Sequence, residues 1–494
     1  MCDTEAVTDA RQLEPRLGAG RLSLTAAELA AATGGRLTHV SQREVRGGAV
    51  DSRLVKPGAL FAALPGERTD GHRFLQQAVA AGAAALLVAD TPAAQKAVQG
   101  VLREGADVTV IAVPDTLLGL HAIAAAWRLR FSPLVVGVTG SVAKTSVKEA
   151  IAAVLGEGLV TLKSEGNANN EVGLPLTVLR LGPQHEAVVL EMGMYVGGEI
   201  AQLAAIARPR IGVVTAVREV HLSRIGTIEA VERAKAELIE ALPSDGTAVL
   251  NADDPRVAGM RRLAPGRVIT YGFDPGADVR PEDVEARGLE GMAFRMLTPA
   301  GEAKVQTPAL GRHGVHNALA AAATAIAAGL DLVVATTGLS RGWQAPHRDQ
   351  VVRAGELTIL DDSYNASPSS MIAALDLLAT LPGRHVAVLG EMRELGEAHE
   401  RGHREVGEAA AARVDELLVI GEQAAGIASG AASLGSAVTL VPDRETALEA
   451  LRERLRPGDS VLVKASRGAE LDLLVDALAG GPEPEIADAG EESR

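Results

Sequence analysis

The segment that most restricts this chain starts at Pro133 and reads Pro-Leu-Val-Val-Gly-Val-Thr-Gly-Ser-Val-Ala-Lys-Thr-Ser. An apolar run of strand length enters a glycine turn and leaves it at Lys144, Thr145 and Ser146, where a helical pattern begins. That order is the context of a phosphate-binding loop, in which backbone N–H groups and the positive end of a helix face an anion. It predicts an α/β fold with the loop at the carboxyl edge of a sheet. Lys144 can bridge β- and γ-phosphates, and the Thr145 hydroxyl can sit on Mg²⁺. The strict spacing G-x-x-x-x-G-K-[ST] is not met, because Val138 and Ala143 occupy its glycine positions. The same residues therefore also read as a tight strand-to-helix turn with an exposed lysine.

Composition narrows the ligand. The 494 residues carry 48 Lys+Arg against 63 Asp+Glu, a formal charge of −15, and only 2% are aromatic. An acidic chain with few stacking rings argues against a dedicated nucleic-acid binder. It leaves nucleotides open, since glycine backbone and one lysine suffice for a phosphate. Cys2 is the sole cysteine, which excludes an intrachain disulfide and a thiolate metal cluster. The first residues lack a basic region followed by an apolar run, so a secretory signal is not expected. The most apolar stretch, residues 318–335, is mostly alanine and is broken by Thr324, Gly329 and Asp331. It reads as a helix packed in a core rather than a membrane span. The expectation is a soluble, cytoplasmic, monomeric protein.

At about 150 residues per domain the length predicts three domains. The first twenty residues read as a loose leader. Residues 22–114 read as a small α/β domain. Its first helix spans 25–32, with Ser23 as N-cap and Gly34-Gly35 as stop. Another helix spans 74–81 and a third lies near Ala93, with strands at 84–88 and 108–113. Residues 115–130 read as a connecting helix, and 115–346 as a central domain with strands at 134–138, 187–190, 211–214, 248–250 and 268–271. Helices between the first four suggest parallel βαβ units. Residues 272–310, rich in Gly, Pro and Thr, predict antiparallel hairpins before an Ala-rich helix. Residues 347–480 read as a Rossmann-like doubly wound domain, with strands at 357–360, 385–389, 416–420, 437–440 and 460–463. Residues 481–494 read as a disordered acidic tail.

Three polar residues stand beyond strand ends of the central domain. Glu191 follows the strand 187–190, His221 lies in the loop after 211–214, and Lys235 lies in the next helix. Singly they read as a cap, a hydrogen-bonded histidine and a solvated lysine. Together, beyond strand ends of one sheet, they suggest a metal–phosphate site, with Thr145 and Glu191 as oxygen ligands for a hard cation.

The runs V-T-G-S-V-A-K-T-S, E-G-N-A-N-N-E-V-G-L-P, L-E-M-G, V-H-L-S-R-I-G, A-K-A-E-L and L-N-A-D-D-P occur in the order found in the ATP-dependent Mur ligases. D-D-S-Y-N-A-S-P from Asp361 and V-L-G-E-M-R-E-L-G from Val388, followed by His399 and His403, resemble one branch of that family. That branch joins D-alanyl-D-alanine to UDP-N-acetylmuramoyl-tripeptide. Asp51-Ser52-Arg53 and G-E-R-T-D-G-H from Gly66 resemble the family's UDP-sugar-binding domain. The resemblance covers roughly residues 22–480. It implies an acyl-phosphate mechanism with ATP and two Mg²⁺. It assigns the nucleotide to Gly140, Ser141, Val142, Ala143, Lys144, Thr145 and Ser146, with Asn317 at adenine, Arg348 at phosphate and Asp362 at ribose. One Mg²⁺ falls to Thr145 and Glu191, and a second to His221 with a carbamylated Lys235. Lys144, Glu191, His221 and Lys235 form the implied catalytic set. Ser52, Arg53, Asn169, Asn170, Asn365, Lys464, Ser466 and Arg467 are the implied substrate contacts.

The chain departs from the family pattern at four positions. Ala143 replaces the glycine before the loop lysine, Gly314 an asparagine, Ala465 a glycine and Glu391 an aspartate. A negative φ at Ala143 would be harmless, whereas a positive one would strain the loop. Alternative readings are a sister ligase adding a diamino acid to the dipeptide precursor, a folate polyglutamylating ligase, and a non-catalytic nucleotide-binding relative.

Overall fold

The computed structural model describes residues 22–66, 69–218 and 225–480. The expected leader, the acidic tail and His221 lie outside them. The chain divides into two compact units. The first comprises Met1–Gly137, Leu159–Met192 and Ala201–Pro209, and the second Val138–Gly158, Gly193–Ile200 and Arg210–Arg494. Among the described residues no helix is long and apolar enough to cross a membrane.

The first unit opens with the helix Ala26–Thr33. Its N-cap is Thr25, not Ser23. The Thr25 hydroxyl accepts from the Glu28 N–H at 3.3 Å, and the Glu28 carboxylate accepts from the Thr25 N–H at 2.8 Å. This reciprocal capping box satisfies two of the orphan amides of the first turn. Ser23 is buried, and its carbonyl accepts from Arg130 at 2.6 Å. Gly34, at φ +62°, ends the helix as expected. Strands β1 (Arg36–His39), β2 (Gly48–Ala49), β3 (Leu60–Ala62), β4 (Ala85–Ala89) and β5 (Thr109–Val113) form a sheet in the order β1-β5-β4-β3-β2. It is parallel except for β1 against β5. The short β1, R-L-T-H, escaped the sequence reading because no apolar run marks it. The connecting helix, Thr116–Arg128, stops two residues before its expected end. It docks through Trp127 Nε1, which donates to the Leu181 carbonyl at 3.1 Å, and Arg128 Nε, which donates to Ala207 at 2.9 Å.

Strands β6 (Leu134–Thr139), β7 (Thr161–Lys163), β8 (Ala187–Glu191), β9 (Ile211–Val214), β10 (Thr247–Asn251) and β11 (Arg267–Tyr271) make a sheet in the order β11-β10-β9-β6-β8-β7. β7, only three residues long, was not foreseen. In the second unit, β12 (Arg280–Ala286), β13 (Met292–Thr298) and β14 (Gly301–Thr307) are the antiparallel hairpins expected between 272 and 310. The Ala-rich helix is Gly311–Ala327, with Ala318 and Ala320 to Ala323 fully buried.

The remaining sheet of the second unit has the order β15-β16-β20-β17-β18-β19. Its strands are β15 (Gln350–Ala354), β16 (Leu357–Asp361), β17 (His385–Leu389), β18 (Glu416–Ile420), β19 (Val438–Val441) and β20 (Ser460–Lys464). Five of them match the five sequence expectations and are parallel. β15 is an added antiparallel edge, joined to β16 by a hairpin in which Gly355 takes φ +60°. Alternate residues bury on opposite faces. Leu360, Ala387, Leu389, Val419 and Leu462 pack one core, and Ile359, Val386, Val388, Leu418 and Val461 the other. Each Leu, Ile or Val among them contributes roughly 1.5–3 kcal/mol by leaving water, so helices must cover both faces.

Candidate functional site

In the second unit β6 ends in a loop whose shape is set by backbone. Gly140 has φ +152°, and a Cβ there would collide with the Thr215 hydroxyl, so glycine is required. The Thr215 hydroxyl donates to the Val142 carbonyl at 2.6 Å. The Ser141 N–H donates to Ala216 at 2.8 Å, and the Arg218 N–H donates to Ser141 Oγ at 2.9 Å. The segment after β9 therefore clamps the loop. Thr215 was missed by sequence reasoning, although its place at the end of an apolar strand was a usable signal. Ala143 is the helix N-cap at φ +63°, ψ 4°. For an L-residue this left-handed geometry costs about 1–2 kcal/mol, so the loop is strained. Lys144 opens the helix Lys144–Leu155, and its ammonium donates to the Gly140 carbonyl at 2.8 Å. Thr145 and Ser146 are buried in the first turn.

Lys235 lies in the helix Ile228–Glu240 and is 2% exposed. Burial, followed by repulsion from Lys144, lowers its pKa well below the ordinary lysine value. Its burial excludes the solvated-lysine reading. In the first unit Glu191 is 1% exposed at the end of β8 and accepts from Asn169 Nδ2 at 2.8 Å. Asn170 Oδ1 accepts the Gly173 N–H at 2.8 Å, just before the short helix Gly173–Val178, whose N-cap is Val172. Ser52 is buried and donates to Gln77 at 3.0 Å, while Arg53 is exposed and paired with Asp51 at 2.6 Å.

The carboxyl ends of β16 and β20 bring together the third-domain residues. Lys464 is 2% exposed; its ammonium binds the Asp362 carboxylate and donates to the Asn365 carbonyl at 2.9 Å. Burial pushes the Asp362 carboxyl up to about 6, against the pull of Lys464. The helix Pro368–Leu378 is capped by Ser367 rather than by Asp362 or Ser363. Asn365 is exposed. Buried Ser466 accepts the Arg393 N–H at 2.9 Å, and Arg467 donates to the Tyr364 hydroxyl at 3.1 Å. Arg348 stacks on the same Tyr364 ring, its Cζ 4.2 Å from the centroid.

Asn317 is buried on the helix Gly311–Ala327. Gly314, one turn earlier, has a local reason: a Cβ there would stand 3.0 Å from Ala309 Cβ. Asn251 Nδ2 donates to the Thr215 carbonyl at 2.7 Å, and Asn251 Oδ1 faces His316 Nε2 at 3.1 Å. This tie between the loop clamp and the helix carrying Asn317 was also unforeseen. Phe273 and Tyr271 pack about His316 at 6.4 and 5.0 Å.

A glycine-turned loop with a lysine at the helix start, on a parallel sheet and followed by a doubly wound lobe, defines an ATP-type phosphate-loop α/β enzyme. The chain belongs to the Mur ligase family. Residues 44–128 match the model for the Mur ligase family catalytic domain, 138–325 the Mur ligase middle domain, and 347–467 the Mur ligase glutamate ligase domain. The UDP-N-acetylmuramoyl-tripeptide–D-alanyl-D-alanine ligase of Mycobacterium tuberculosis is 38% identical over 92% of this chain and 98% of its own length. MurF from Acinetobacter baumannii superposes with a TM-score of 0.82 at 29% identity, covering 93% of this chain and 99% of that one. MurF ligase from Thermotoga maritima, solved with ADP, gives 0.76 at 28%, covering 88% and 97%.

Proposed function

We propose that this chain joins D-alanyl-D-alanine to UDP-N-acetylmuramoyl-tripeptide at the expense of ATP, in peptidoglycan precursor synthesis. The observation that carries the chemistry is the loop 140–146, where Gly140, the helix N-terminus and Lys144 form a cradle for phosphate. The particular reaction rests on the similarity to ligases of that name over nearly the whole chain.

A carboxylate does not acylate an amine, because oxide is a hopeless leaving group. The tripeptide carboxylate oxygen attacks the γ-phosphorus of ATP and ADP departs. The amine of D-alanyl-D-alanine then attacks the acyl carbon, and the tetrahedral intermediate expels phosphate to leave the amide. Catalysis is positioning and charge neutralisation. Lys144 neutralises the phosphoryl oxygens, Arg348 receives phosphate, and Asp362 and Asn317 orient ribose and adenine. Ser52 and Arg53 face the UDP end of the precursor. Asn169, Asn170, Asn365, Lys464, Ser466 and Arg467 shape the substrate side.

Magnesium fits the donor set in one form. A buried lysine ammonium beside Lys144 would repel a cation. A depressed pKa instead supplies the neutral amine that CO₂ carbamylates, giving an anionic oxygen ligand. Thr145 and Glu191 would hold one ion, and carbamylated Lys235 with His221 a second. An ion held there would supply charge neutralisation for the transferred phosphoryl group. A monomer in the cytoplasm, where ATP and nucleotide sugars reside, completes the reading.

The test is phosphate release from ATP with UDP-N-acetylmuramoyl-tripeptide and D-alanyl-D-alanine together. Release above the ATP-only rate is expected. Release only with a diamino acid and the dipeptide precursor would move the assignment to the sister ligase.

A further inference from the structure

Tyr364 received no role from the sequence, yet two candidate anion-binding arginines gather on it. It follows β16, and its N–H donates to the His347 carbonyl at 3.1 Å. Arg348, just before β15, places its Cζ 4.2 Å from the ring centroid. Arg467, just after β20, places its Cζ at 5.2 Å and donates to the tyrosine hydroxyl at 3.1 Å. Three adjacent strand ends thus converge on one ring.

The choice of partner matters chemically. Elsewhere in the same lobe Arg384 is held by Asp459 at 2.8 Å and Glu416 at 2.7 Å, so its charge is consumed by two carboxylates. Among the described residues neither Arg348 nor Arg467 forms an ion pair with a carboxylate. An aromatic face orients a guanidinium through its quadrupole without neutralising it. A phenol hydroxyl accepts one N–H and leaves the remaining donors of the fork for an anion.

We propose that Tyr364 is a positioning residue of the ligase site, holding Arg348 and Arg467 around one ring with their charge available to the nucleotide phosphates and the anionic precursor. The identity of those anions rests on the ligase reading above. Tyr364 itself touches no reacting atom; it acts through the two arginines.

The experiment compares Tyr364→Leu and Tyr364→Phe in two readouts, turnover with all three substrates and calorimetric affinity for a non-hydrolysable ATP analogue with Mg²⁺. Losing the ring should lower kcat/KM for ATP and analogue affinity about tenfold, the equivalent of about 1.4 kcal/mol. The phenylalanine variant, which keeps the ring, should stay within about threefold. In either an Arg348→Ala or an Arg467→Ala background, the further loss from Tyr364→Leu should shrink. Tyr364→Met takes the place of the leucine variant if the latter does not fold. Affinity and turnover within twofold of wild type for the ringless variant would overturn the inference. So would an undiminished loss in both arginine backgrounds, the mark of a merely structural ring. Wild-type turnover tests the ligase reading separately, and the analogue titration decides the role of Tyr364 even for a wild type that makes no product.

Discussion

Two lysines stand at strand ends in the second unit and are used in opposite ways. Lys144 follows β6, and its ammonium rests on a neutral carbonyl, that of Gly140. Lys464 ends β20, and its ammonium is buried against the Asp362 carboxylate. One printed partner is a backbone carbonyl of the loop itself, and the other is a carboxylate. The loops around them differ likewise. Backbone groups and the Thr215 and Ser141 hydroxyls pin the phosphate loop. Ion pairs and a histidine pin the loops of the last lobe. The first loop is held mainly by backbone and hydroxyl groups, and the second by a buried ion pair.

The largest effect that follows is on turnover. Lys144→Ala should lower kcat by roughly 10²–10³-fold or more, the scale of losing one preorganised electrostatic group. Melting temperature and affinity for the UDP-precursor should hardly change, because the precursor residues Ser52 and Arg53 belong to the first unit. Loss of precursor binding in a folded variant would contradict the contrast. Lys464 should behave inversely. Lys464→Met leaves Asp362 buried without its cation and should destabilise by about 3–5 kcal/mol in denaturant titration. Adding Asp362→Leu should restore most of that stability while leaving nucleotide affinity low, since Asp362 is the proposed ribose contact. A single variant as stable as wild type would show that the buried Lys464–Asp362 pair does not hold this lobe.

This contrast could not be read from the sequence. Both lysines follow apolar strand runs; Lys144 entered the candidate site on the loop pattern and Lys464 on resemblance. The strands themselves were legible because long apolar runs between glycine and polar turns have one cheap solution, a buried parallel sheet. Edge strands were not. β1 and β15 bury little and carry polar residues, so no period marked them. Within the site the glycine loop was visible because chemistry demands glycine where φ is positive. The groups that hold it in place, Thr215, Asn251 and His316, are ordinary residues brought there by strand order β10-β9-β6. The strain at Ala143 was posed by the sequence as a question of sign, and only the backbone answered it.

Acid should separate the two kinds of loop. His403 is fully buried; its Nδ1 faces the His399 carbonyl at 2.7 Å, and its Nε2 accepts the Met392 N–H at 2.9 Å. That pattern requires the neutral ring with its proton on Nδ1. Burial, with a smaller push from His399, lowers its pKa from the ordinary 6.5, against the His399 carbonyl and Glu391. Below 6.5 the unfolded chain therefore binds more protons than the folded one. Stability from this site is complete above that value and is lost as pH falls through the window beneath it. The melting temperature should drop between about pH 7.5 and pH 5.5, and His403→Gln should flatten that part of the profile. Hydroxyls and amides do not titrate there, so the phosphate loop should give no such signature. An unchanged slope in the variant would remove His403 as the acid-sensitive pin.

The smallest effect probes the phosphate loop alone. Ala143→Gly relieves a left-handed alanine, worth about 1–2 kcal/mol, but adds the freedom of glycine to the unfolded chain, worth about 0.4–1 kcal/mol. The net expectation is a gain of about 0.5–1 kcal/mol in stability. Turnover should stay within about twofold, because Gly140, Thr215 and Ser141 already hold the loop and the lysine follows from the helix start. A loss of turnover with a gain in stability would mean that the alanine methyl stiffens the cradle and that its strain is retained for alignment. The loop would then resemble the last lobe more closely, with stability and function drawing on the same contact.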